Sequence, residues 1–208
     1  ISGYTGGAFS YTATDTGSGV SYLQYKTPGS SSWTTYSSGT TISASATNGL
    51  YQFRAVDNAG NTSAVSSIYL DTAIPTGKIT DSNGTTVTTT TNKAFKYTAS
   101  DGLSGIAYMQ YKKPNSTVWE TYAAGTLIQT TDTNGIYRFR AFDNAGNESE
   151  TVMICLDTVK PTGTLYGGTS TVASGGKTNA NYVKFVPSDS MSGIKSIYVQ
   201  TPSSSGYE

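Results

Sequence analysis

The residues that could do chemistry in this chain are carboxylates. Seven of its nine aspartates recur at matched places: Asp15, Asp101 and Asp189; Asp57 and Asp143; Asp71 and Asp157. The pentapeptide DNAGN occurs twice, as Asp57–Asn61 and as Asp143–Asn147, 86 residues apart. Two carboxylates about 5–10 Å apart could hydrolyse a glycosidic bond. Several carboxylates with carbonyl oxygens could hold a hard cation. An aspartate followed by glycine can also do no more than close a turn, because its side chain accepts from backbone N–H groups two residues on.

Nucleophilic chemistry has little to work with. The chain has no histidine and one cysteine, Cys155. Nothing is present to activate a serine in the usual triad manner, and the thiol lacks a histidine partner. One cysteine makes no internal disulfide. Cys155 reads as a tolerated substitution on an outer sheet face, with oxidation or crosslinking of a free thiol as the competing reading.

Composition narrows the class further. The 208 residues carry thirteen basic and thirteen acidic side chains, and 36% are hydrophobic. That balance gives no electrostatic basis for nucleic-acid binding or attachment to an anionic membrane. No apolar run reaches the ~18 residues of a membrane span, and no leader-like segment is visible, so the reading is of a mature or excised portion. Ser, Thr, Gly and Tyr dominate. Stretches such as TTVTTTT and TSTVASGG are poor helices, since β-branched and hydroxyl residues lose out there.

The chain repeats itself. SYLQYKTPGSSSW (21–33) matches AYMQYKKPNSTVW (107–119), and TNGLYQFRAVDNAGNTS (47–63) matches TNGIYRFRAFDNAGNES (133–149). IYLDTAIPTG (68–77) matches ICLDTVKPTG (154–163), all at a shift of 86. A third copy follows at a shift of 88, with SDSMSGIKSIYVQTP (188–202) on SDGLSGIAYMQYKKP (100–114). The expected units are 1–71, 72–157 and 158–208. The first is expected to lack its beginning and the third its end, so the third should be incomplete, loosely ordered or completed by other residues.

Within 72–157, short alternating segments lie between turn signals. They are GKIT (77–80), AFKYTAS (94–100), IAYMQYKK (106–113), VWETYA (118–123), TLIQ (126–129), GIYRFRAFD (135–143) and a strand over 150–156. Phe95, Tyr97 and Ala99 share one face, as do Tyr137, Phe139 and Ala141. Phe9, Tyr11 and Ala13 match the first set in copy one, and Val183, Phe185 and Pro187 in copy three. Ile197 and Val199 stand where copy two has Met109 and Tyr111. Seven strands per ~86 residues, with turns every 8–12, predict an all-β chain of tandem antiparallel β-sandwiches.

The string D-x-x-S-G-[VI], Q-Y-K-x-P, W, G-x-Y-x-F-R-A-x-D-N-A-G-N-x-S and L-D-T-x-x-P resembles the immunoglobulin-like, or fibronectin type III-like, tandem repeats of bacterial secreted and cell-surface proteins. The match covers nearly all of copies one and two and the first half of copy three. Copy three departs at Val199-Gln200-Thr201-Pro202. The resemblance implies an extracellular, non-enzymatic stalk, adhesin spacer or accessory module of a secreted enzyme. An isopeptide crosslink of the Gram-positive type would need a buried lysine. Lys96 faces outward by parity and is Ser10 in copy one, so that reading is rejected.

Two sites remain as expectations. In a sandwich of this topology Asp101 and Asp143 lie at one pole, where the strand ending at Asp71 arrives. These three, with Asp157 and Asp189 repeating part of the set, are the candidate ligands of an inter-repeat calcium ion. The competing reading is that each caps its own turn over a dry or water-bridged junction. Trp33, Tyr36, Trp119 and Tyr122 are the candidate aromatic platform for a glycan, set against the reading that they cover a sheet edge or pair across strands. No cofactor is required. The expected partners are neighbouring repeats, with an extracellular glycan or host protein as the alternative.

Pro75 and Pro161 stiffen the short connections LDTAIPTG and LDTVKPTG. The leading expectation is a semi-rigid string of modules that projects another activity from a cell envelope.

Overall fold

A computed structural model describes residues 3–200. It contains no helix there. The strands in chain order are β1 (Tyr4–Thr5), β2 (Val20–Lys26), β3 (Thr34–Tyr36), β4 (Gly49–Asp57), β5 (Ser66–Leu70), β6 (Thr76–Asp81), β7 (Thr90–Thr91), β8 (Phe95–Ser100), β9 (Ile106–Lys112), β10 (Glu120–Thr121), β11 (Gly135–Asp143), β12 (Val152–Leu156), β13 (Thr162–Gly167), β14 (Ser170–Val172) and β15 (Val183–Ser188).

Residues 76–156 form a sandwich. One layer is a five-stranded sheet in the order β10-β9-β11-β12-β7, and the other is the antiparallel pair β6-β8. Their inner faces meet because each strand alternates. Along β11 the residues Tyr137, Phe139 and Ala141 are buried, and along β8 Phe95 and Tyr97 are buried. Ile79, Met109, Tyr122, Ile128, Ile154 and Leu156 complete the core. Burying a side chain such as Phe139 contributes about 1.5–3 kcal/mol relative to exposing it.

Two details depart from the expected strand list. TLIQ forms no named strand, only an isolated bridge between Ile128 and Phe95. Thr90–Thr91 is instead a strand, and it pairs with β12 in parallel. That pairing comes from a chain return of high sequence separation, which a local pattern does not encode.

Residues 4–70 repeat the larger sheet in the order β1-β5-β4-β2-β3. β1 pairs with β5 in parallel, as β7 does with β12. Phe9, Tyr11 and Ala13 form no strand. They pack, partly buried, against Leu23, Tyr36, Tyr51, Phe53, Ala55 and Leu70. Phe9 and Ile42 form the bridge that Phe95 and Ile128 form in the second copy.

Further along, β14-β13-β15 is a three-stranded sheet whose β13–β15 register, Thr162 against Ser188, matches Thr76 against Ser100. Residues 189–200 hold no strand. The expected inward set differs here: Val183 and Phe185 are 64% and 47% exposed, and Ile197 and Val199 are also exposed. Among the described residues no second sheet packs over them.

Candidate functional site

The site is the meeting of the chain segment after β5 with two loops of the next sandwich. β5 ends at Leu70, and Asp71 follows, fully buried. Its N–H donates to the Thr5 carbonyl at 2.9 Å, which closes the β1–β5 edge. Its carboxylate then turns in two directions. Oδ1 accepts from Ala73 N–H at 3.0 Å, and Oδ2 accepts from Ser104 N–H at 2.9 Å. Asp71 therefore caps its own turn and also reaches across the junction to the β8–β9 loop.

Asp101 organises that loop. Its Oδ1 accepts from the N–H groups of Leu103, Ser104 and Gly105 at 3.0, 2.9 and 2.9 Å. Burial pushes its carboxyl up, but the Gly105, Leu103 and Ser104 amides outweigh that and hold it below the ordinary 3.8. Gly105 adopts φ 73°, a conformation that costs glycine little and other residues more.

Asp143 opens the second DNAGN loop, between β11 and β12. Its Oδ1 accepts from Ala145 N–H and Asn147 N–H at 2.9 and 2.8 Å, and Oδ2 accepts from the Asn147 side-chain amide at 2.8 Å. The same amide donates to the carbonyl oxygens of Asp71 at 2.7 Å and Ala73 at 3.1 Å. Gly6 N–H donates to Ala145 O at 3.0 Å. A Cβ at Gly6 would lie 2.5 Å from Asn147 Oδ1, so glycine is what lets the two loops touch.

These contacts bring Asp71, Asp101 and Asp143 together. One oxygen from each lies within 4.8 Å of the others. Asp71 and Asp143 are 0% and 2% exposed, and among the described residues the ion pairs are elsewhere, at Lys113–Glu120 and Arg140–Glu148. Three carboxylates thus converge with N–H donors and no basic side chain in an ion pair with them. The three oxygens are of the kind a hard divalent cation takes.

Asp157 and Asp189 repeat half of this arrangement. Asp157 Oδ1 accepts from Val159 N–H, and Oδ2 from Ser192 N–H at 3.0 Å. Asp189 accepts from Met191, Ser192 and Gly193, and the amides of Met191 and Gly193 hold its carboxyl low. They make a two-carboxylate version of the junction. In copy one, Asp57 is held low by the Asn61 side-chain amide.

The aromatic platform is placed differently from expectation. Tyr36 and Tyr122 are buried, at 5% and 3% exposure, and offer no ring face to a ligand. Each phenol hydroxyl instead bridges strand to loop: that of Tyr122 accepts from Tyr97 N–H at 3.0 Å and donates to Thr126 O. Tyr36 does the same between Tyr11 and Thr40. Their inward parity follows from pairing, with Tyr36 opposite Leu23 on β2. Trp33 and Trp119 are half-buried on the outer face. Trp33 has Lys26 and Arg54 over its ring at 4.9 and 4.3 Å, and Trp119 has Lys112 and Arg140 at 4.9 and 4.2 Å.

Cys155 lies on the outer face of β12 opposite Ile136. Burial, then the neighbouring Asp157, push its thiol up, away from the reactive thiolate form.

The junction residues that sequence reasoning passed over are Asn147, Ser104 and Gly6. Asn147 carried a signal, since it ends a pentapeptide written twice. Gly6 carried none.

The chain is an all-β protein built from sandwich-type sheets. No protein-family model matches it, and no curated protein matches it. Among solved structures, one titled "Structures of Clostridium thermocellum CbhA fibronectin(III)-like modules" is similar, with a TM-score of 0.38 and 18% identity, over 74% of this chain and 86% of that one.

Proposed function

We propose that the chain is a non-catalytic, semi-rigid spacer of an extracellular bacterial protein, built of three modules at 1–71, 72–157 and 158–208. It holds an adhesive or enzymatic domain away from an envelope. The observation that carries this reading is the set of hydrogen bonds across the first junction: Ser104 N–H to the Asp71 carboxylate, the Asn147 amide to the carbonyls of Asp71 and Ala73, and Gly6 N–H to the Ala145 carbonyl. A connection held on three sides, with Pro75 buried in it, resists the swinging that a free linker of similar length would permit. Nothing in the site supplies a nucleophile with its base. Small-angle scattering of the chain tests the reading. A narrow distribution of lengths that broadens in Asn147→Ala supports it. A broad distribution in the unaltered chain overturns it.

A second reading is favoured by the convergence of Asp71, Asp101 and Asp143 without a basic partner. In it the junction takes a calcium ion, and the modules stiffen further when it binds. The melting temperature then rises with calcium, falls with EDTA, and no longer responds in Asp101→Asn. Equal melting temperatures in calcium and EDTA exclude this reading and leave the spacer reading intact.

A further inference from the structure

The outer face of the larger sheet of residues 76–156 carries a feature that sheet stability does not ask for. Its register sets three rungs side by side. Tyr108 faces Phe142, Gln110 faces Arg140, and Lys112 faces Arg138. Rungs on one face repeat every second residue, so the three span about 14 Å.

The first rung is an aromatic stack, with centroids 4.7 Å apart, and Tyr108 is 47% exposed. The middle rung is a hydrogen-bonded pair in which Arg140 donates to Gln110 Oε1 from Nε at 2.9 Å and from Nη2 at 2.8 Å. Glu148 neutralises that arginine at 2.7 Å. The third rung is two cations directly opposite each other. Like charges in that relation destabilise a sheet, and neither Lys112 nor Arg138 is in an ion pair among the described residues. Both are half-buried, and partial desolvation strengthens the pull of a cation on an incoming anion. The Lys112 ammonium lies 4.9 Å over the Trp119 ring.

Copy one presents a related strip. Tyr22 faces Val56, Gln24 faces Arg54 and Lys26 faces Gln52, with Trp33 beneath Lys26 and Arg54. Thr62 stands where copy two has Glu148, so Arg54 lacks the acid that Arg140 has. Among the described residues each strip therefore leaves two cations without an ion pair: Lys26 and Arg54 in one, Lys112 and Arg138 in the other. The whole chain is neutral, and its aspartates collect at the turns and junctions, so these faces are locally basic.

We propose that this face binds an acidic polysaccharide, with carboxylates of uronate residues on Lys112 and Arg138 and a sugar ring on the open face of Tyr108. Charge complementarity selects an anionic partner, and the exposed ring at the far rung selects a sugar over a featureless polyanion, since apolar sugar faces stack on aromatic rings. The copy-one strip adds a second, weaker contact to the same polymer, which raises overall avidity. The binding is independent of the spacer reading.

Affinity electrophoresis of the intact chain through gels containing polygalacturonate, dextran or poly-glutamate tests it. Polygalacturonate should retard the chain and dextran should not. Lys112→Gln with Arg138→Gln should weaken the retardation about tenfold, with Kd values read from the dependence on polymer concentration. Adding Lys26→Gln should weaken it further. Arg138→Gln installs what copy one already carries as Gln52, so the sheet accommodates it, and an unchanged or raised melting temperature confirms the fold. Tyr108→Ser should weaken polygalacturonate binding and leave any poly-glutamate binding unchanged. Equal retardation of the triple variant and the unaltered chain overturns the proposal. So does equal binding of poly-glutamate and polygalacturonate, or no retardation by polygalacturonate.

Discussion

The side-chain amide of Asn147 donates to the main-chain carbonyl of Asp71 at 2.7 Å, across 76 residues of sequence. One loop of the 76–156 sandwich thus grips the strand end of the preceding sheet. The equivalent Asn61 places its amide on the Asp57 carboxylate, at 2.8 Å, and is exposed. Two identical pentapeptides therefore carry different loads.

Asn147→Ala should cost about 1–3 kcal/mol, because it strips donors from the carbonyls of Asp71 and Ala73 and from the buried Asp143 carboxylate. Asn61→Ala should cost markedly less. Urea unfolding of both variants measures the difference, and equal losses would show that Asn147 acts only within its own turn.

Gly6→Ala should loosen the junction, since the new Cβ would stand 2.5 Å from Asn147 Oδ1 and 3.2 Å from the Ala145 carbonyl. Gly7→Ala is the control, with nothing nearer than 3.9 Å. Hydrogen exchange at the Asp71–Ala73 amides should quicken in the first variant and stay unchanged in the second.

Tyr122→Phe should destabilise the 76–156 sandwich by about 1–3 kcal/mol, because it leaves the buried Tyr97 N–H without its acceptor. Gly77→Ala should act similarly by overpacking, about 1–3 kcal/mol, since the Tyr97 ring and hydroxyl already fill the space that the alanine methyl would need. Thermal unfolding read by tyrosine fluorescence follows both.

The carboxyls of Asp57, Asp101 and Asp189 are all held below 3.8 by hydrogen-bond donors. A group whose folded value is depressed adds stability that is present above the ordinary value and is lost as pH falls through the folded one. The melting temperature should therefore be flat near neutrality and drop below about pH 4. Asp101→Asn should flatten part of that drop.

Much of the fold is legible in the sequence because it is local. Alternation places Phe95, Tyr97, Phe139 and Ala141 inward, and the repeat sets the strand and turn order. It also puts the DNAGN turns between β4 and β5 and between β11 and β12, and Gly60 and Gly146 adopt φ 91° and 93° there. Parity alone does not settle Tyr36 and Tyr122, which lie at strand ends where the alternation carries too few residues to set a face.

The all-β class, the period and the inward faces of residues 76–156 are written in the chain itself, since period-2 patterning and turn chemistry act between neighbours; the inward faces expected over 183–199 are not, because no second sheet covers them among the described residues. Three further features are not. That Asn147 and Gly6 close the junction at Asp71, that Thr90 adds a parallel edge, and that Lys112 faces Arg138 all emerge on folding. Each is a contact between residues far apart in sequence, set by how strands pair and sheets pack, and no local pattern carries that information.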